Sequence, residues 1–265
     1  MNPSATTLLG ICQRSLDPHA HTIAVHPGHD STIALRARTT AGTVIVKAHR
    51  SPERHHREVH AYRHWTMTLD DRAPRLLAVC ADPQAIIITA LPGDTLAETA
   101  QAPHHEATAH RQAGELLRRL HRATPPRADL AMTLTIAERG ERWLHQAQAF
   151  MAAPLQAEIR AHLSALTRLP SVPAVPCHLD FMPRNMILQP NRRLALIDFE
   201  HSRYDLAARD LVRLADRIWP TRPDLEEAFL DGFGQLTDLD RQVIEHCTYL
   251  DRLTLAVRAH QRLRS

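Results

Sequence analysis

Lysine is almost missing from this chain of 265 residues: apart from Lys47, every one of its 32 basic residues is arginine. Asparagine is nearly as scarce, with only Asn2, Asn185 and Asn191. Alanine, arginine and proline are abundant, as GC-rich codon usage would make them, and under that drift a surviving Lys or Asn marks a position where its chemistry is required. Aromatic residues are 4% of the chain, which leaves little from which to build an aromatic box around a quaternary ammonium. No apolar run approaches the roughly 20 residues that span a bilayer. Met1-Asn2-Pro3-Ser4 is not a basic segment leading into an apolar one, so neither membrane insertion nor export is expected. The four cysteines, Cys12, Cys80, Cys177 and Cys247, lie far apart, without zinc-like spacing or a disulfide framework, and suit a reducing cytoplasm. No basic run is long enough for a nucleic-acid surface; Arg118-Arg119 and Arg192-Arg193 are only pairs. The 19 histidines include the pairs His55-His56 and His104-His105, whose adjacent side chains point different ways on a helix and make poor metal ligands together.

What is present describes a globular protein, 44% hydrophobic and 23% charged, long enough for a large core. The net charge of +3 falls entirely in residues 1–91, which carry 10 basic and 7 acidic groups; residues 92–265 carry 22 of each. The chain divides at Leu91-Pro92-Gly93. Before it, 32–38 alternates at period two, 39–42 turns, and 43–47 returns as a β-branched strand. Ser51-Pro52-Glu53 starts a helix, with a capping hydroxyl, proline in the first turn and an acid at the positive end of the dipole; it runs to about Trp65. Leu76–Cys80 and Ala85–Thr89 read as further strands, turned at Asp82-Pro83. After the break, helices are expected over 110–122, twice within 135–168 with an interruption at Pro154, and over 206–219, 224–233 and 238–262. Between them, 186–188 and 194–197 form a small hairpin about Pro190-Asn191. The expected architecture is α+β: a small antiparallel lobe with one helix, residues 1–91, then a larger, mainly helical lobe, residues 92–265, with a cleft between.

Three segments carry chemistry. Lys47 ends a strand, and Glu58 follows in the next helix. His178-Leu179-Asp180-Phe181-Met182-Pro183-Arg184-Asn185 precedes the hairpin, and Ile197-Asp198-Phe199-Glu200 follows it. Phosphoryl transfer needs a cation on the nucleotide phosphates, oxygen ligands for magnesium, and a carboxylate that orients the attacking hydroxyl and takes its proton. Lys47 can supply the cation with Glu58 holding it, Asp180 the base, and Asn185 with Asp198 the metal ligands. Asp-x-x-x-x-Asn followed by Asp-Phe is the spacing of a kinase catalytic loop and metal motif.

On these residues the chain resembles the aminoglycoside phosphotransferase and choline kinase superfamily, the small-molecule branch of the bilobal protein-kinase-like fold. Gly28-His29-Asp30-Ser31-Thr32 is similar to its nucleotide-positioning loop, which carries Gly28 and Ser31. Ile88-Thr89-Ala90-Leu91-Pro92-Gly93 is similar to its hinge, and Leu117–His121 to a helix ending in Leu-His. The resemblance implies ATP, or GTP as an alternative donor, with Mg2+. It implies a purine base on hinge backbone at Thr89, Ala90 and Leu91, and Asp210 supporting the loop. Leu179 departs from the arginine of protein kinases and from the small or polar residue of this family. No activation-loop signature follows Asp198, which argues against a protein substrate.

The implied acceptor is a hydroxyl on a small molecule. The part after Ile197 has 13 acidic and 10 basic residues, too mild an excess to favour a polycation, and the few aromatics fit choline poorly. A neutral or weakly charged antibiotic bearing a sugar, of nucleoside or macrolide type, is the leading expectation, the enzyme conferring resistance. A metabolic kinase for a sugar, an amino alcohol or a homoserine-like acceptor is the alternative, and a nucleotide-binding pseudokinase a third reading. Glu200, His201 and Arg203 are candidates to touch the acceptor.

Overall fold

The computed structural model describes residues 3–27, 33–128 and 131–264. They form two compact units, 3–101 with 183–203, and 102–182 with 204–264. In the first unit, helix α1 (Ala5–Ser15) begins at Ser4, whose side chain accepts from Thr7 N–H. Strands β1 (His21–Pro27), β2 (Ile33–Thr39), β3 (Gly42–Ala48), β4 (Leu76–Ala81) and β5 (Gln84–Thr89) make one antiparallel sheet in the order β1-β2-β3-β5-β4. Helix α2 (Pro52–His64) is capped by Ser51, as the sequence predicts.

The alternation along β3 sets the faces. Val44, Val46 and Ala48 join Leu35, Ala37, Ala85 and Ile87 in a core closed by Leu8, Ile11 and Cys12 of α1. Lys47 therefore falls on the opposite face, beside Ile86 of β5 in register. Helix α1 is an addition to the single helix expected in this part of the chain. Only a short stripe, Leu8, Ile11 and Cys12, is buried along it, too little for periodicity to stand out.

Pairing between distant strands gives the first unit its remaining residues. Strand β6 (Asp94–Thr95) pairs with β8 (Met186–Leu188), and β8 with β9 (Leu194–Leu196). So 92–101 and 183–203 pack with the lysine-bearing sheet rather than with the helical part that follows the Leu91–Pro92 break.

The second unit holds α3 (Pro103–His121), α4 (Met132–Ala147), α5 (Ala153–Arg168), α6 (Val212–Arg217), α7 (Pro223–Phe233) and α8 (Asp238–Arg262). Short strands β7 (Val175–Cys177) and β10 (Arg203–Asp205) pair beside them. Pro154 lies in the first turn of α5, where its missing N–H costs nothing. Helices α3 and α7 approach closely at Gly114 and Gly232; a Cβ on Gly114 would come within 2.2 Å of the Phe229 carbonyl oxygen. No helix among the described residues is long and apolar enough to cross a membrane.

Gly93 ties the break in the chain to the hairpin. Its φ is +109°, and a Cβ there would lie 2.1 Å from the carbonyl oxygen of Leu188. Gly93→Ala is expected to cost about 2 kcal/mol or more, from the positive φ and the overlap together. Urea unfolding measures it, and a loss below about 0.5 kcal/mol would show that the hairpin does not depend on this contact.

Candidate active site

Lys47 is the centre of a buried ion cluster in the first unit. Its Nζ lies 2.9 Å from Glu58 Oε2 and 3.0 Å from Glu200 Oε2, and it donates to Asp198 Oδ1. Glu58 projects from α2 and is fully buried. Its Oε2 also meets His49 Nε2 at 2.5 Å. Glu200 Oε1 accepts from Arg54 Nη1 at 3.0 Å. Burial pushes the Lys47 ammonium toward its neutral form, but Asp198, Glu58 and Glu200 outweigh it and hold the pKa well above its ordinary value. Burial likewise pushes the Glu58 carboxyl up, and Lys47 with His49 brings it down to about 2.

The hairpin supplies the neighbouring oxygen donors. The β8–β9 register sets Met186 opposite Leu196, so Asn185 and Ile197 flank the same end, and Ile197 N–H donates to the Asn185 carbonyl at 3.0 Å. Asp198 follows immediately, in the left-handed region with φ 67°. Phe199, fully buried, packs edge-on against Tyr62 of α2 at 5.4 Å between ring centroids. An amide oxygen and a carboxylate at one hairpin end are hard donors. They fit Mg2+, which takes one or two protein oxygens and leaves the rest of its shell to water and phosphate.

Asp180 belongs to the second unit, with its own support. Asp210 accepts from His178 N–H at 3.0 Å and from Leu179 N–H, and meets His121 Nε2 at 2.8 Å. These bonds hold Leu179 at φ 61°, a conformation that suits glycine better than leucine. The Asp180 carboxylate accepts from Arg213 Nη1 of α6, and Arg213 Nε donates to Asp251 Oδ1 of α8 at 3.0 Å. Asp251 accepts from Arg217 as well.

The structure thus joins Lys47, Glu58 and Asp198 in one cluster, with Asn185 at the adjoining hairpin end. Gly28 and Ser31 lie outside the described residues. Thr89 and Ala90 donate their backbone N–H groups within the sheet, to Arg75 O and Thr43 O. Glu200, an acceptor candidate by sequence, is instead buried in the lysine cluster with Lys47 and Arg54 on its oxygens. His201 stands beside it, Nε2 to Oε1 3.5 Å, and Arg203 begins β10. Four supporting residues escaped the sequence reading: His49, Arg54, Arg213 and Asp251. Two of them left a signal, for His49 shares the strand face of Lys47 at period two, and Arg213 lies one helical turn beyond Asp210.

A family model described as "Phosphotransferase enzyme family" matches residues 23–245. No curated protein sequence matches the chain. Among solved structures the fold is similar to that of a macrolide 2'-phosphotransferase from Brachybacterium faecium, at 17% identity and TM-score 0.66, over 96% of this chain and 93% of that one. It is similar to the choline kinase LicA from Streptococcus pneumoniae, at 18% identity and TM-score 0.67, over 95% and 91%. It is also similar to a spectinomycin phosphotransferase solved with ADP and spectinomycin, at 14% identity and TM-score 0.69, over 98% and 88%.

Glu58 is ionised more readily in the fold than its ordinary value of 4.5 implies. Its stabilising contribution is full above that value and is lost as pH falls through about 2. Glu58→Gln should therefore cost about 3 kcal/mol near neutral pH, the scale for removing one partner of a buried pair. The gap to wild type should narrow steadily as the pH is lowered below 4.5. Denaturant unfolding across that range measures both, and a gap independent of pH would refute the assignment.

Proposed function

The chain belongs to the phosphotransferase enzyme family, and from that premise we propose that it moves the γ-phosphoryl group of ATP to a hydroxyl of a small-molecule antibiotic. The observation that carries this reading is the lysine cluster: one cation held by Glu58 and Asp198, at the hairpin end that also bears Asn185. Lys47 binds the α- and β-phosphates, and Glu58 and Glu200 keep its ammonium in place. Asn185 and Asp198 hold Mg2+, which when bound neutralises phosphate charge. A purine would be met by the backbone of the hinge at Thr89–Leu91, through groups other than the Thr89 and Ala90 N–H, which already donate to Arg75 O and Thr43 O. A relative of this fold solved with ADP supports ATP as the donor.

Asp180 orients the acceptor hydroxyl and takes its proton as the oxygen–phosphorus bond forms and the bond to the β-phosphate bridging oxygen breaks, releasing ADP. A transition state with little bond formation to the nucleophile asks for orientation more than for basicity, so a carboxylate held by Arg213 suits the task.

The surroundings of Asp180 favour a neutral or weakly charged acceptor. Arg213 and Arg217 offset Asp180 and Asp251, so these two carboxylates are already paired rather than free to draw a polycation. The aromatic residues of this unit are also occupied. Tyr204 hydroxyl meets Thr124 Oγ1 at 2.6 Å, Trp219 and Phe233 pack on the buried Phe229, and Tyr249 stacks on His162. That leaves them poorly placed to box the ammonium of choline. A sugar-bearing antibiotic of nucleoside or macrolide type, phosphorylated in the cytoplasm to give resistance, is the acceptor this reading assigns.

ADP release with MgATP against a panel of nucleoside, macrolide and kanamycin-type antibiotics, sugars and amino alcohols tests it. Turnover is expected with a neutral sugar-bearing antibiotic; choline as the best acceptor would overturn the assignment. Asp180→Asn should lower kcat by about 100-fold or more while nucleotide affinity stays within a few-fold, and Arg213→Gln by about tenfold. Full turnover by Asp180→Asn would remove it as the base.

A further inference from the structure

A second convergence of metal-ligand side chains lies on α5 and α8, and phosphoryl transfer has no use for it. His162 of α5 and His246 of α8 face each other through their Nδ1 atoms at 2.9 Å. The carboxylate of Glu245 lies nearby, so that one ligand atom from each of the three lies within 4.8 Å of the others. Two imidazole nitrogens and a carboxylate oxygen suit zinc and its borderline neighbours. Magnesium and calcium prefer oxygen shells. We propose that His162, Glu245 and His246 form a transition-metal site, best suited to Zn2+, with water completing a tetrahedron.

The ligands are oriented before any ion arrives. Tyr249 stacks on the His162 ring, with centroids 3.7 Å apart and planes 14° from parallel, and its hydroxyl donates to Glu158 Oε1 at 3.0 Å. That fixes the ring plane of His162, as supporting contacts do around bound metals. An Nδ1···Nδ1 contact requires one ring to donate and the other to accept, so an ion would take the place of the shared proton, which is released on binding. Tetrahedral zinc sets two nitrogens about 3.3 Å apart, a small opening from the present spacing.

The other convergent clusters among the described residues are already committed. His49, Glu58 and Glu200 surround Lys47, and Asp210 of the His121–Cys177–Asp210 group holds the Asp180 loop. The new site would join α5 to α8, the helix that also carries Asp251 and through it the arginine on Asp180. Its histidines stand 84 residues apart, so no spacing motif announces it.

Zinc titration of the untagged full-length chain by calorimetry, beside His162→Ala, His246→Ala and Glu245→Gln, tests the proposal. Wild type should bind one equivalent of Zn2+ more than either histidine variant. The rise in its melting temperature with Zn2+ should be lost in the histidine variants, and Co2+ should give visible tetrahedral bands that those variants lack. Glu245 is exposed, so Glu245→Gln keeps the fold and should weaken binding about tenfold. Equal stoichiometry and affinity in wild type and all three variants would assign any zinc uptake to other histidines and overturn the site.

Discussion

An ammonium as buried as that of Lys47 persists only among anions, and three carboxylates from different parts of the first unit meet that demand. Glu58 arrives on α2, while Asp198 and Glu200 arrive just past the hairpin. The cluster therefore joins the sheet, its helix and the hairpin into one arrangement, and a displacement of any of them leaves a buried charge uncompensated. Arg54 and His49 extend it, Arg54 on Glu200 and His49 on Glu58.

The second unit solves a related problem with one aspartate. Asp210 gathers the backbone of His178 and Leu179 and the ring of His121, so the segment leading to Asp180 is fixed at its base. The left-handed backbone at Leu179 is held by those bonds against the preference of its side chain. Asp180 itself is fixed by Arg213, and Arg213 by Asp251 on α8. Orientation here passes through charged pairs rather than through apolar packing, and it depends on helices far from Asp180 in sequence.

Much of this was legible before the structure. The β-branched strand ending in Lys47, the Ser51-Pro52-Glu53 cap that launches Glu58, and the hairpin between Asn185 and Asp198 rest on local signals of propensity, capping and turn chemistry. What was not legible is non-local or faint. The pairing of β6 with β8 draws 183–203 into the lysine-bearing unit, and strand order cannot be read along a chain. Helix α1 buries too short a stripe to show a period. Glu200 reads from sequence as an acceptor contact, and nothing local to it announces that Lys47 and Arg54 meet its oxygens. The arginine on Asp180 is one of many in a chain where arginine is the default cation, so composition hid it as surely as it exposed Lys47.

That contrast supplies the most direct test of the account. If Lys47 survives because a compact ammonium must fit among Glu58, Asp198, Glu200 and two phosphates, the planar guanidinium that serves everywhere else in the chain cannot replace it. The measurement is kcat/KM for MgATP in Lys47→Arg, with the folded state checked by thermal melting. The account predicts a folded protein with a loss of about 100-fold or more. A folded Lys47→Arg enzyme within a few-fold of wild type would contradict it.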